Sequence, residues 1–492
     1  MEIQITPNTQ IAWKRLQEYR QELYQHFSKR ADVQMELIDA LSSNLTAESV
    51  VELSENAQFR HGYSSITDAI DAAFQASSIE CGKSERQAQN RAIMQLSAAY
   101  APGLAKRNFW LFAADGSGIS RKFAPTLADR TYVYSPYPVA GNKPVTIGHA
   151  YHATVLLLER ARASEPCWVY PCLIERIASD ESEQQVAAES LRYLHDEPSL
   201  PWHGQLCVQV ADSKYSQLDY IGVTVGLANV VTVTRLRSNQ VFYWPAIPPL
   251  TPANEKKKPG NKKRYGEKFK LKDAASWGEA HESLLLPYRS SQGRLYTVQI
   301  QRWHDLLETG RRKLAMYQHP FDLLHIRLLD EQQQPLFKKP LWLKLHGARR
   351  RELSTQDGYT AYLQRMDIEQ FWRFGKQRLL LASYQTPDVE HEESWLHLVQ
   401  LAYTQLYLMR PLLAACPRPW ERYLPSASYP SPSPTHVLRQ APSIFSQIGT
   451  PAQPPKPRGI AKGRAQGFHP PPRPRLPIVK KVQKQPEMLA SP

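Results

Sequence analysis

Two short apolar runs, FWLFAA at 109–114 and LCVQVA at 206–211, each stop at an aspartate, Asp115 and Asp212. Runs of this length with so little polar alternation belong to strands covered on both faces, and such strands sit in the centre of sheets flanked by helices. Two further strand candidates, TYVYSPYPV and KPVTIGHAYHATVLLLE, follow the first run. Helical spacing returns over ESEQQVAAESLRYLHD, and the strand-like NVVTVTRLR follows the second Asp. This mixed order predicts an α/β core with a central sheet.

Around that core the 492 residues leave room for roughly three compact units. Residues 1–105 read as a small helical module, for which a helix-turn-helix is one option. The core begins at 106–236. It is interrupted at 237–340 by a β-rich insertion with strand-like pieces RLYTVQIQRW and FDLLHIRLL, and it resumes at 341–415. This last part starts with PLWLKLHG and continues as one long helical stretch from about Gly358 to Leu381 and a second from about Glu390 to Leu413. Residues 416–492 turn to Pro, Ser, Gln and basic residues. Sixteen prolines in 424–492 predict a disordered or polyproline-like tail.

The formal net charge of +15 is unevenly placed. Residues 256–272 carry nine Lys/Arg against Glu267, and residues 424–492 carry ten against Glu487, which leaves −2 for everything else. A nearly neutral body with two concentrated basic segments suits a polyanion partner, most often nucleic acid, although solvated linkers carry such charge too. No apolar run reaches the ~18–20 residues of a membrane span, and the N-terminus lacks the pattern of a secretory signal. Five scattered cysteines give no disulfide framework, so the expectation is a cytoplasmic protein.

Asp115 and Asp212, each at the end of a buried strand, are hard oxygen donors suited to Mg²⁺ or Mn²⁺, and equally ordinary turn formers before GSG and SKY. A second signal lies in YLQRMDIEQFWRFGK. Tyr362, Arg365, Glu369 and Lys376 stand at offsets of 0, 3, 7 and 14. On one continuous helix, at about 100° per residue, they fall within a face roughly 60° wide. A stripe of surface ion pairs has the same form. Phe371 and Trp372 read better as core aromatics than as base-stacking groups. The cluster Glu390-His391-Glu392-Glu393 with His397 lacks a second His four residues on, and helix-start acids explain it; Cys167 and Cys172 have no second pair for zinc.

With these four residues in the order Tyr-x2-Arg-x3-Glu-x6-Lys, the chain resembles the bacterial insertion-sequence transposases of the DDE superfamily. FWLFAADGSG, LCVQVADSKY, the RLRSN stretch and KQRLLLASYQTP resemble that group as well. The resemblance spans about residues 30–415 and implies an RNase H-like catalytic core interrupted by the β-rich insertion. It makes the helical module 1–105 a domain that binds DNA ends, and Asp115, Asp212 and Glu369 a catalytic triad holding two Mg²⁺ (or Mn²⁺) ions. It also assigns Tyr362, Arg365 and Lys376 to the phosphates of the transposon end. The implied reaction is cleavage at transposon ends and transfer of the 3′-hydroxyl into target DNA, by a homodimer in a synaptic complex, bacterial and nucleoid-associated when acting. A nuclease or resolvase without strand transfer, and a DNA-binding protein that has lost catalysis, are the rival readings.

Overall fold

The computed structural model describes residues 7–73, 83–135, 144–160, 165–246, 264–290, 292–311, 314–413, 431–457, 463, 465–469 and 471–480. Its helices are α1 (Pro7–His26), α2 (Ala31–Ser42), α3 (Ser64–Ala72), α4 (Lys83–Ala98), α5 (Glu183–Asp196), α6 (Leu218–Thr224), α7 (Thr355–Gln364), α8 (Asp367–Arg378), α9 (Val389–Leu413) and α10 (Pro434–Ile448). Its strands are β1 (Trp110–Ser120), β2 (Thr131–Tyr134), β3 (Val145–Leu157), β4 (Val169–Ile177), β5 (Cys207–Ala211), β6 (Val230–Arg235), β7 (Val241–Pro245), β8 (Tyr265–Lys270), β9 (Glu282–Arg289), β10 (Leu295–Leu306), β11 (Phe321–Leu329) and β12 (Leu341–His346). They divide into two compact units. The first comprises Met1–Gly103, Gly116–Val186 and Asp367–Pro492, and the second Leu104–Asp115 and Ala187–Met366.

The first unit is organised by α9. Trp395, Leu398, Val399, Ala402, Leu406 and Met409 are all buried, on every side of the helix, so other elements must surround it. The helices α1, α2 and α3 pack against it. Polar groups caught in that packing have partners: Tyr19 donates its hydroxyl to the Leu401 carbonyl at 3.1 Å, and Gln405 Nε2 donates to Asp39 Oδ1 at 3.0 Å. Asp39 also forms a buried, bidentate ion pair with Arg20. The segment read as a separate helical module thus shares one core with α9. Long-range packing of this kind leaves no trace in local periodicity.

In the same unit β3 pairs antiparallel with β2 through its first residues and with β4 through the rest. The strand β4 (VYPCLIERI) was not read from the sequence. Its Pro171 stands at a register shift between Thr154 and Val155, where a missing N–H is tolerated.

The 416–492 segment needs correcting. Residues 434–448 form α10, which packs on α9 and α2 with Val437, Leu438, Ala441, Ile444 and Phe445 buried. Ser433 caps it by accepting the His436 N–H at 3.2 Å, and Pro434 occupies the first turn, where its missing N–H costs nothing. The proline count over the whole tail hid a window with only Pro434 and Pro442. Beyond α10 the chain is held by side chains of the unit, with Arg60 donating to the Ala452 and Gln453 carbonyls.

In the second unit the first half of β1 runs parallel to β5, and β5 parallel to β6; β12, β11, β10 and β9 continue the sheet antiparallel. The expected insertion therefore supplies β9, β10 and β11 to the core sheet, and only β7 and β8 form a small sheet of their own. Phe242, Phe269, Trp303, Phe321 and Trp342 build the core under it. Of the basic run at 256–272, residues 256–263 lie outside the described residues. The helix α7 packs on β5 and β6, and Gly358 lets it approach closely: a Cβ there would meet Leu345 Cδ2 at 3.1 Å and Leu324 Cδ1 at 3.2 Å.

Candidate active site

Strand register brings the two aspartates together. Trp110 to Ala114 pair with Cys207 to Ala211 in step, and Asp115 and Asp212 are the next residues on the two strands. Adjacent strands lie about 4.8 Å apart, so two half-buried carboxylates share one sheet position in the second unit. Asp212 is still extended (φ −75°, ψ −174°), and its Oδ1 accepts the Lys214 N–H at 2.7 Å to cap the turn Ser213–Ser216. It performs the turn chemistry of its Asp-Ser sequence and still lies beside Asp115. Asp115 itself is not at a strand end as the Asp-Gly pair suggested. β1 continues through Gly116, Ser117 and Gly118 to Ser120, and what ends after Ala114 is the pairing with β5.

Tyr362, on the last turn of α7, adds a phenol near Asp212. Burial raises its pKa, while the guanidiniums of Arg365 and Arg235 oppose that rise and the Asp212 carboxylate reinforces it. The Arg365 guanidinium stands 6.0 Å from the centre of the Tyr362 ring. Arg235, at the exposed end of β6, is a cation that the helical spacing could not reveal, because it comes from another element; the RLRSN stretch was its only sequence signal.

The single helix expected from Gly358 to Leu381 is two helices. The first ends at Gln364, Arg365 and Met366 form a turn, and α8 begins at Asp367. The face worked out for one continuous helix therefore does not carry across the break. No Gly or Pro marks the break; α7 packs on β5 and β6 in the second unit, while α8 packs on β3 and β4 in the first, where Asp367 is ion-paired with Arg160. Within α8, Glu369 and Lys376 remain seven residues apart on one face. Glu369 is half-buried in the first turn. The Lys376 ammonium donates to Ser117 Oγ at 2.8 Å and to the Gly118 carbonyl at 2.9 Å, both on β1 just after Asp115. Asp115, Asp212, Tyr362 and Arg365 thus belong to the second unit, and Glu369 and Lys376 to the first.

Residues given weaker readings have structural partners. Glu392 is fully buried, 2.8 Å from His149 Nδ1 and 3.1 Å from Arg121 Nε. Burial alone would raise its pKa, but the His149 hydrogen bond and the Arg121 charge hold it below the ordinary carboxylate range. Glu393 pairs with Arg176, and His391 with Asp71. Cys172 is buried in β4, its thiol pushed up to about 12 by burial, and Cys167 lies beside Arg160. Phe371 and Trp372 are packed inside, Phe371 edge-on to Tyr403 with ring centres 5.0 Å apart.

Among the described residues no three His, Cys, Asp or Glu side chains form a ready-made metal cage, and no helix is long and apolar enough to cross a membrane. A family profile described as DDE superfamily endonuclease matches residues 22–310, a span that contains Asp115 and Asp212 and ends before Glu369. No curated protein matches the chain.

Proposed function

The chain belongs to the DDE superfamily endonucleases, a family of enzymes that act on DNA, and from that membership we propose that it is a transposase, cutting at the ends of a mobile element and joining the freed 3′-hydroxyl to target DNA. The observation that carries this reading is the register of β1 and β5, after whose last pair Asp115 and Asp212 follow together. The parallel strands β1, β5 and β6 of one unit and the antiparallel β3 and β4 of the other support an RNase H-like core.

Members of the superfamily generally use divalent metals, and the donor set fits them. Mg²⁺ and Mn²⁺ take hard oxygen ligands, and Mg²⁺ is commonly held by one or two carboxylates, with substrate phosphate and water completing its shell. Asp115, Asp212 and Glu369 are the proposed ligands, and two bound ions supply charge neutralisation and a lowered pKa at the attacking hydroxyl. The chain's own residues do the rest. Lys214 N–H fixes the Asp212 carboxylate, so its outer oxygen keeps one direction. Arg365, backed by the Tyr362 ring and joined by Arg235, offers a fork for phosphate oxygens close to Asp212. Lys376 holds β1 straight beyond Asp115 and lends positive charge there. Two element ends must react together, so the working form is a homodimer on DNA.

A labelled element end, a target plasmid and Mg²⁺ provide the test. Joined product from the native chain, and none from Asp115→Asn, Asp212→Asn or Glu369→Gln with end binding retained, is the expected result. Cleavage without joining would make the chain a nuclease, and normal cleavage by Glu369→Gln would remove that residue from the triad.

A further inference from the structure

The hairpin and loop that follow β1 in the first unit expose several aromatic rings. β2 alternates strictly, with Thr131 and Val133 inside and Tyr132 and Tyr134 outside, 51% and 70% exposed. Tyr134 pairs across the hairpin with exposed Val145. Phe123 is 73% exposed, and the Lys122 ammonium lies 4.7 Å from its ring centre.

Positive charge is brought to the same face by the distant end of the chain. Leu476 N–H donates to the Pro125 carbonyl at 3.0 Å, Val479 N–H donates to the Arg130 carbonyl at 2.8 Å, and Arg130 Nη2 returns a bond to the Leu476 carbonyl at 3.2 Å. The extended segment PPRPRLPIVK (471–480) is thereby strapped along residues 125–130, which join Phe123 to β2. Its exposed Arg475 and Lys480 adjoin these anchor points. Lys376 is close as well: it bonds to Gly118, where a Cβ would come 3.2 Å from the Tyr134 carbonyl oxygen. Of the acids nearby, Asp129 pairs with Arg176, Asp388 with Arg473 and Glu392 with Arg121, while the Glu183 carboxylate lies against Gly116.

Exposed flat rings beside the exposed cations Arg475 and Lys480 match unpaired nucleic acid, whose bases offer π-faces that a duplex hides and whose phosphates need the charge. We propose that Tyr132 and Tyr134, with Phe123 and the strapped 471–480 segment, bind the unpaired bases of a DNA strand. The inference rests on the DNA-cutting reading above.

The experiment uses the full chain, a blunt duplex, and the same duplex with a short single-stranded thymidine tail. Stacking contributes about 5- to 150-fold in affinity per base. Tyr132→Thr with Tyr134→Thr keeps the strand propensity, and it should lose at least about tenfold in affinity for the tailed duplex while binding the blunt one unchanged and keeping the salt slope. Arg475→Gln with Lys480→Gln should flatten the salt slope for the tail by about 1.4. In the native chain, 4-thiothymidine in the tail should crosslink to the peptide that carries β2. A threonine pair that binds both duplexes like the native chain, weakens both alike, or changes only the oligomeric state would overturn the proposal. Cleavage is scored separately. A native chain that prefers tails but never cuts would sink the transposase reading and leave this surface standing.

Discussion

Replacing Lys376 with methionine separates two roles that sequence alone merges. The resemblance gives this lysine to a DNA phosphate, yet its ammonium is bonded within the protein to Ser117 Oγ and the Gly118 carbonyl. A hydrogen bond to a charged group contributes about 1.5–3 kcal/mol net, and less where solvent competes. Lys376 is half-buried, so the pair together should be worth about 2–3 kcal/mol, and methionine keeps most of the stem's packing. Urea unfolding without DNA should then show Lys376→Met less stable by that amount at unchanged m-value. A double-mutant cycle with Ser117→Ala should return a coupling of about 1 kcal/mol, since the two side chains touch. If Lys376 served only DNA, the variant would unfold at the native urea concentration and show only weaker end binding, with a salt slope lower by about one. That outcome would refute the anchoring argument.

Gly148→Ala should cost about 1–3 kcal/mol, seen as a lower unfolding midpoint, because a Cβ at this position of β3 would collide with the Ile119 carbonyl of β1, which is backbone and cannot swing aside. Stability should fall as pH drops below about 6.5: burial lowers His152 and His195 to about 3 and His397 to about 4 in the folded chain, so the unfolded chain binds more protons there. Each contributes about 1.4 kcal/mol per pH unit until its folded pKa is reached, and a flat urea midpoint between pH 6.5 and 5 would contradict this. Truncation after residue 457 removes the three hydrogen bonds of the 471–480 segment to residues 125–130 and should lower the unfolding midpoint while leaving a folded chain, whereas truncation after residue 430 removes the buried face of α10, whose Val437, Leu438, Ile444 and Phe445 are worth about 1.5–3 kcal/mol each, and should give an aggregating or unfolded product by size exclusion and circular dichroism.

What could be read from the sequence was what local pattern encodes. FWLFAA and LCVQVA are apolar because these parts of β1 and β5 are buried on both faces, so their aspartates could be found, and each aspartate follows the last residue of the paired stretch. The helical character of residues 1–105 showed in its spacing, but the partner of those helices did not, since α9 begins almost 300 residues later. The break at Arg365–Met366 was invisible because tertiary packing sets it, α7 on β5 and β6 in one unit and α8 on β3 and β4 in the other, with no Gly or Pro to announce it. Glu392 looked like one of several helix-start acids. Its distinction, a buried position between Arg121 and His149, exists only in three dimensions.

The wrapping of α1 and α2 around α9 also sets a timetable for synthesis. Tyr19 must wait for Leu401, 382 residues downstream, and Arg20 for Gly449, 429 residues downstream. At about 5–20 residues per second, the first helices leave the ribosome roughly 20–80 s before the helix they enclose. Until then Leu16, Tyr19, Leu23, Met35 and Leu37 have no core to enter, and closing contacts so far apart in sequence is slow once they can form. A nascent chain is therefore exposed to chaperones and proteases for most of its synthesis, and the abundance of this protein should respond to translation speed more sharply than that of a chain whose neighbours in space are neighbours in sequence.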